Sequence, residues 1–201
     1  MLIYVITDRR LRPDLSLNRL VESVAGSGAD MIQIREKDLT AAALLGCARR
    51  ASEVVPAGTR VFVNSRPDVA VAAGVTGVHL PASGLPPSDV AALWGGRLRI
   101  GVSTHNLDEA MEAQSAGADL ITFGPVFETT SKRVYGPPAG VGRLSEVLSN
   151  VSTPVFAIGG INLSTLPRLT GLPIAGVAVI SAVLLAGDMG QAVAGLRGGR
   201  G

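Results

Sequence analysis

The chain has 201 residues, enough for one well-buried domain and short for two. Hydrophobic residues make up 47% and charged ones 17%, with 25 glycines scattered rather than gathered in tracts, which excludes a disordered or collagen-like chain. Lys and Arg number 18 against 16 Asp and Glu, and the resulting formal charge of +2 excludes the strongly basic surface that a nucleic-acid partner would need.

Short apolar runs of β character alternate with longer segments of helical period, the pattern of βα units and a parallel sheet. The first run, Leu2–Thr7, has no basic region ahead of it. No apolar stretch reaches the roughly 18 residues of a membrane span, so a cytoplasmic protein without a membrane partner is expected. Leu17, Leu20, Val21 and Val24 then repeat at i, i+3, i+4 and i+7, one apolar helix face.

The second run, Met31–Arg35, puts Gln33 and Arg35 on one strand face, with Lys37 just beyond. Arg35 and Lys37 suit an anion, the one as a fork and the other as a point charge. Cys47, the only cysteine, falls in an Ala/Leu-rich helical stretch, so neither a disulfide nor a cysteine metal site can be built within one chain.

The third run, Arg60–Asn64, ends in an amide able to read a ligand, and Asp68 follows Pro67 in a helical first turn. Gly77–Leu80 carries His79, readable as a hydrogen-bonded structural residue or as an acid/base. Leu98–Ser103 brings Ser103 toward a ligand, followed by His105 and by Asn106 as a helix cap ahead of Asp108 and Glu109. Leu120–Gly124 leads through Pro125 into a long connection reaching Gly142, predicted to be a mobile lid whose hydroxyls and Lys132 suit a phosphate or pyrophosphate. Pro154–Gly159 and Ala175–Ser181 complete eight runs; Gly159, Gly160, Ile180 and Ser181 are the expected phosphate site, where backbone amides can approach an anion.

The junctions Gly28-Ala29-Asp30, Gly74-Val75-Thr76-Gly77 and Gly117-Ala118-Asp119 repeat one theme, a helix-ending glycine before a strand. This repetition predicts a single (β/α)₈ TIM barrel over residues 1–201, with its active face at the carboxyl ends of the strands. A doubly wound open sheet would have fewer strands and a glycine-rich first turn, where this chain has Thr7-Asp8-Arg9-Arg10.

On these residues the chain resembles the thiamin phosphate synthase superfamily over nearly its whole length. The matching stretches are Tyr4–Asp8, Gln33–Lys37, Val63-Asn64, Gly77–Leu80, Gly101–His105, Phe123–Phe127, Thr129–Lys132, Gly159–Ile161 and Gly176–Ser181. The resemblance implies a barrel of thiamin biosynthesis with a small phosphorylated thiazole as partner, held by Gly160, Ile180 and Ser181. It also implies that Gln33, Arg35, Lys37, Asn64, Thr129, Ser131 and Lys132 meet a pyrimidine pyrophosphate.

The synthase branch is expected to hold Mg²⁺ on two aspartates, and the matching positions here are Ser65 and Gly84. From those departures the leading expectation is the TenI-like branch, a metal-independent thiazole tautomerase with no cofactor. Its characteristic base is replaced by Pro125, which leaves His79, His105 and Glu128 as catalytic candidates. The alternative is a synthase that joins hydroxymethylpyrimidine pyrophosphate to thiazole phosphate, with Mg²⁺ recruited mainly through the pyrophosphate. The second alternative is a non-catalytic paralogue that binds thiazole phosphate or thiamin phosphate. Self-association into a homo-oligomer is left open.

Overall fold

The structure is a computed structural model that describes residues 1–129 and 137–199. Eight parallel strands, β1 Leu2–Ile6, β2 Met31–Ile34, β3 Arg60–Asn64, β4 Gly77–Leu80, β5 Arg99–Thr104, β6 Leu120–Phe123, β7 Val155–Ile158 and β8 Gly176–Val179, close on themselves in sequence order. The ring shuts where Leu2 registers with Gly176 and Val5 with Val179. The expected (β/α)₈ barrel is therefore observed.

Helices α1 Leu17–Gly26, α2 Ala41–Val54, α3 Pro67–Ala73, α4 Pro87–Trp94, α5 Leu107–Ser115 and α6 Gly140–Asn150 follow the first six strands. Between β7 and β8 the helical layer shrinks to a 3₁₀ turn, Leu166–Leu169, with Pro167 at its start and Leu166 and Leu169 buried. After β8 come the short α7 Ser181–Leu184 and the longer α8 Met189–Gly198. Among the described residues no helix is long and apolar enough to cross a membrane.

Strand alternation divides the core in two. Ile3, Val5, Ile32, Ile34, Val61 and Val63 face outward into the helices, while Tyr4, Ile6, Met31, Phe62, Leu120, Phe156 and Ala178 fill the barrel. Inside, large rings sit on glycines: a Cβ at Gly77 would lie 2.7 Å from Phe62 Cε1, and one at Gly176 2.6 Å from Phe156 Cε1. Each ring occupies the space that the neighbouring strand leaves free.

The repeated junctions do more than end helices. Gly28, Gly74 and Gly117 hold left-handed backbone, and the polar residue just before each following strand reaches back to the preceding one. Asp30 Oδ2 accepts from the Ile3 amide at 2.8 Å, Thr76 Oγ1 from Val61 at 3.1 Å, and Asp119 Oδ2 from Ile100 at 2.8 Å. Three strand beginnings are thereby satisfied by side chains at the end of the barrel opposite the active face.

Candidate functional site

The loops after β1 and β2 are joined through a buried carboxylate. Glu36 Oε1 accepts from Thr7 Oγ1 at 2.8 Å and from the Arg9 amide at 3.2 Å, and Arg9 Nη1 reaches Oε2 at 3.3 Å. The Arg35 amide donates to Thr7 Oγ1 at 3.1 Å, which fixes the backbone from which the Arg35 side chain leaves. Sequence reasoning missed Glu36; its signal is a carboxylate between two cations at the end of an otherwise apolar strand.

A cleft lined by Asp8, Arg10, Arg35, Glu36, Lys37 and Asp38 opens there. Arg10 binds Asp8 through two nitrogens at 2.8 and 2.7 Å, and that hydrogen bonding holds the Asp8 carboxyl below its ordinary range. Arg9 does the same for Asp38, at 2.7 Å from each guanidinium nitrogen. Neither Arg35 nor Lys37 forms a salt bridge among the described residues, so both cations are available to an anion in the cleft.

Polar side chains line the barrel mouth from β2 to β6. Gln33, 2% exposed, donates from Nε2 to Asn64 Oδ1 at 3.0 Å, and Asn64 Nδ2 donates to Ser65 Oγ at 2.8 Å. Ser65 holds left-handed backbone at φ 60°, unusual without glycine, and its amide donates to His79 O at 2.9 Å. Below Ser103, His79 lies within 3.3 Å of the Tyr4 hydroxyl through Nδ1, and within 3.0 Å of Ser103 Oγ and 3.3 Å of Thr122 Oγ1 through Nε2. The other arc of the rim is apolar, with Ile6, Ile158 and Ile180 packed on the inner core.

The three candidate proton carriers do not converge. His79 is 2% exposed, and burial, helped by the charge of Arg35, pushes its pKa down to about 3, so it is neutral and a poor base at physiological pH. His105 is exposed and belongs to a helix cap: its Nδ1 lies 2.9 Å from Glu109 Oε2, and Glu109 and Asn106 close the first turn of α5 around it. Glu128 is exposed on the connection after β6. Thr129 is half-buried beside it, whereas Ser131, Lys132 and the middle of the expected lid, residues 130–136, lie outside the described residues.

At the expected phosphate loops, the structure gives the glycines a packing reason. Val126 and Phe127 donate their amides to Ile158 O at 2.8 Å and to Gly159 O at 3.0 Å, so the connection after β6 is laced to the end of β7. A Cβ at Gly159 would lie 2.6 Å from Pro125 Cα, and one at Gly160 2.7 Å from Phe127 Cβ and against Glu128 O. Arg168 stacks over the Phe127 ring at 4.8 Å and holds the same connection from the other side. Ile180 precedes α7, and Ser181 begins it, so the Ser181 and Ala182 amides at this helix start have no partner within the helix.

Comparison with known proteins places this geometry in context. The family described as thiamine monophosphate synthase matches residues 3–183. A putative thiamine-phosphate synthase of Geobacter sulfurreducens is 42% identical over 90% of this chain and 86% of its own length. The thiamine-phosphate synthase of Methanoculleus marisnigri is 38% identical over 97% and 93% respectively. The structure of a thiamine phosphate pyrophosphorylase from Pyrococcus furiosus superposes with a TM-score of 0.88 at 33% identity, covering 99% of this chain and 95% of that one. These relatives overturn the tautomerase expectation drawn from Ser65 and Gly84: they carry the name of the synthase, at substantial identity over most of the chain. Ser65 and Gly84 pointed to a change of reaction, but they stand beside a mouth whose Gln33, Asn64 and Ser103 are polar and hydrogen-bonded.

Proposed function

The chain belongs to the thiamine monophosphate synthase family, and on that footing we propose that it is a thiamine-phosphate synthase, a transferase joining hydroxymethylpyrimidine pyrophosphate to thiazole phosphate. In this reaction the bond between the pyrimidine methylene carbon and the pyrophosphate oxygen breaks, and its electron pair leaves with the pyrophosphate. The thiazole nitrogen supplies the pair for the new C–N bond and becomes cationic. No general base is required for that exchange, in keeping with the neutral His79 and with Pro125 beside the site.

The observation that carries the reading is the pair of cations without a salt bridge among the described residues, Arg35 and Lys37, at the edge of a polar mouth formed by Gln33, Asn64 and Ser103. Cations there stabilise the charge that accumulates on departing pyrophosphate, and fixed amide and hydroxyl groups orient a heteroaromatic ring. Thr129, with Ser131 and Lys132 in the following connection, is assigned to the same pyrophosphate. Gly160, Ile180 and Ser181 are assigned to the thiazole phosphate, through backbone amides at the ends of β7 and β8.

The Mg²⁺ implied by the synthase resemblance does not fit the residues at its two positions. Ser65 offers a hydroxyl already bonded by Asn64 at 2.8 Å, and Gly84 closes a turn onto Pro81 O at 2.8 Å with no side chain to offer. A hard divalent cation seeks carboxylate oxygens, and the carboxylates lining the cleft are engaged: Asp8 by Arg10, Asp38 by Arg9, and Glu36 by Arg9 and Thr7. Among the described residues no group of three or more His, Cys, Asp or Glu is placed to hold a metal. Charge compensation is therefore assigned to Arg35 and Lys37, and no step is routed through a metal.

The test is steady-state formation of thiamine phosphate from the two substrates by purified protein, with and without added Mg²⁺. Product above the uncatalysed background supports the synthase. Tight binding of thiazole phosphate without turnover would instead assign the chain to a binding role.

A further inference from the structure

The Tyr4, His79, Ser103 and Thr122 cluster has a proton arrangement that can be worked out from its donors and acceptors. Tyr4 is fully buried among Phe62, Phe156 and His79, with ring centroids at 5.7, 5.9 and 5.8 Å, and His79 Nδ1 is the one hydrogen-bond partner of its hydroxyl among the described residues. A buried donor left without an acceptor costs about 1–3 kcal/mol. The Tyr4 O–H therefore donates to Nδ1, and Nδ1 carries no proton. Burial raises the Tyr4 pKa and lowers that of His79, so the phenol stays protonated and the imidazole carries a single N–H. That N–H is on Nε2.

From Nε2 the proton points to Ser103 Oγ at 3.0 Å, and Thr122 Oγ1 donates to the same oxygen at 3.4 Å. A serine hydroxyl has two acceptor sites and one donor. With both acceptor sites filled from inside the barrel, the capacity left is the O–H, and Ser103 is the member of the cluster that is part-exposed at the mouth. Gly101 makes the arrangement possible: a Cβ there would lie 2.6 Å from His79 Nδ1 and displace the ring.

We infer that Tyr4 and His79 are positioning residues that set Ser103 as a hydrogen-bond donor toward the bound substrate, so that a ring presenting an acceptor atom is selected over one presenting C–H. Resting on the synthase reading, this makes Ser103 a specificity determinant for the pyrimidine ring. Neither Tyr4 nor His79 touches the substrate; each acts through Ser103.

Two measurements test the inference. The chain has two histidines, so a His105→Gln variant labelled with ¹⁵N-histidine isolates His79 for long-range ¹H–¹⁵N correlation spectroscopy. The expected spectrum is a neutral Nε2–H tautomer that does not titrate between pH 5 and 8. An Nδ1–H tautomer, or protonation within that range, would overturn the inference whatever the enzyme's activity. The second measurement compares binding of hydroxymethylpyrimidine pyrophosphate and benzyl pyrophosphate by calorimetry. Ser103→Ala is expected to lower the wild-type preference for the pyrimidine by about tenfold to a hundredfold, the worth of one enforced hydrogen bond, whatever preference Gln33 and Asn64 retain. Equal discrimination by the Ser103→Ala variant, or binding of neither ligand by the wild type, would overturn it. Absence of thiamine phosphate synthesis alone would sink the functional reading and leave the spectroscopic result standing.

Discussion

Replacing Gly160 by alanine distinguishes two reasons for the glycine pair after β7. If these glycines serve only to let a phosphate approach, Gly160→Ala should weaken binding and leave the apo fold as stable as before. The structure gives a different expectation. Gly160 has φ 64°, and an added Cβ would meet Phe127 Cβ at 2.7 Å and the Glu128 carbonyl oxygen. Left-handed backbone at a residue with a Cβ costs about 1–2 kcal/mol, and overpacking a tight contact adds about 1–3 kcal/mol, for a total of roughly 2–5 kcal/mol. Gly28 supplies the reference, because it holds φ 81° with nothing within 4 Å of its Cβ position, so Gly28→Ala should show the backbone cost alone. Urea unfolding of both variants without ligand measures the difference; at an m-value of about 2 kcal/mol/M, Gly160→Ala should lower the midpoint by about 1 M or more and Gly28→Ala by about half as much or less. A Gly160→Ala midpoint equal to that of Gly28→Ala would refute the packing argument.

Other expectations follow from the same contacts. Asp119→Ala leaves the Ile100 amide without its acceptor and should cost about 1–3 kcal/mol, with faster hydrogen exchange at that amide as the local readout. Arg35→Ala and Lys37→Ala should each raise KM for the pyrimidine pyrophosphate by about tenfold, with the wild-type KM rising with salt and that of each variant rising less. His79, with its folded pKa pushed down to about 3 against an unfolded value near 6.5, binds fewer protons when folded than when unfolded across that interval. Its contribution to stability is therefore complete above about pH 6.5 and is lost as pH falls toward 3, and His79→Gln should flatten the unfolding midpoint between pH 5 and 7 relative to wild type.

How much of this was legible in the sequence depends on whether a residue's role is local. The eight runs matched the barrel strands to within a residue or two at their ends, and alternation along the second put Gln33 on the face where it meets Asn64 at the mouth. Helix caps such as Asn106 with Glu109 were readable because they involve neighbours in the chain. The roles of Asp30 and Asp119 as acceptors for Ile3 and Ile100 were not, because the partner sits on the preceding strand. Glu36 looked like one more charge at a strand end until Thr7 and Arg9 closed around it. His79 was readable as a structural residue or as an acid/base, and choosing between them needs its burial against Tyr4 and Ser103, which keeps it neutral. Read alone, Ser65 and Gly84 favour the tautomerase, and it is the likeness to named synthases, 42% and 38% identical over most of the chain, that turns the reading to the alternative.

The most direct measurement is a single-turnover reaction with enzyme in excess over both substrates, quenched and separated for thiamine phosphate and pyrophosphate. The expected result is equimolar appearance of the two products, slowed in the Arg35→Ala and Lys37→Ala variants. Recovery of both substrates unchanged after prolonged incubation with wild-type protein, whether or not Mg²⁺ is added, would contradict the account.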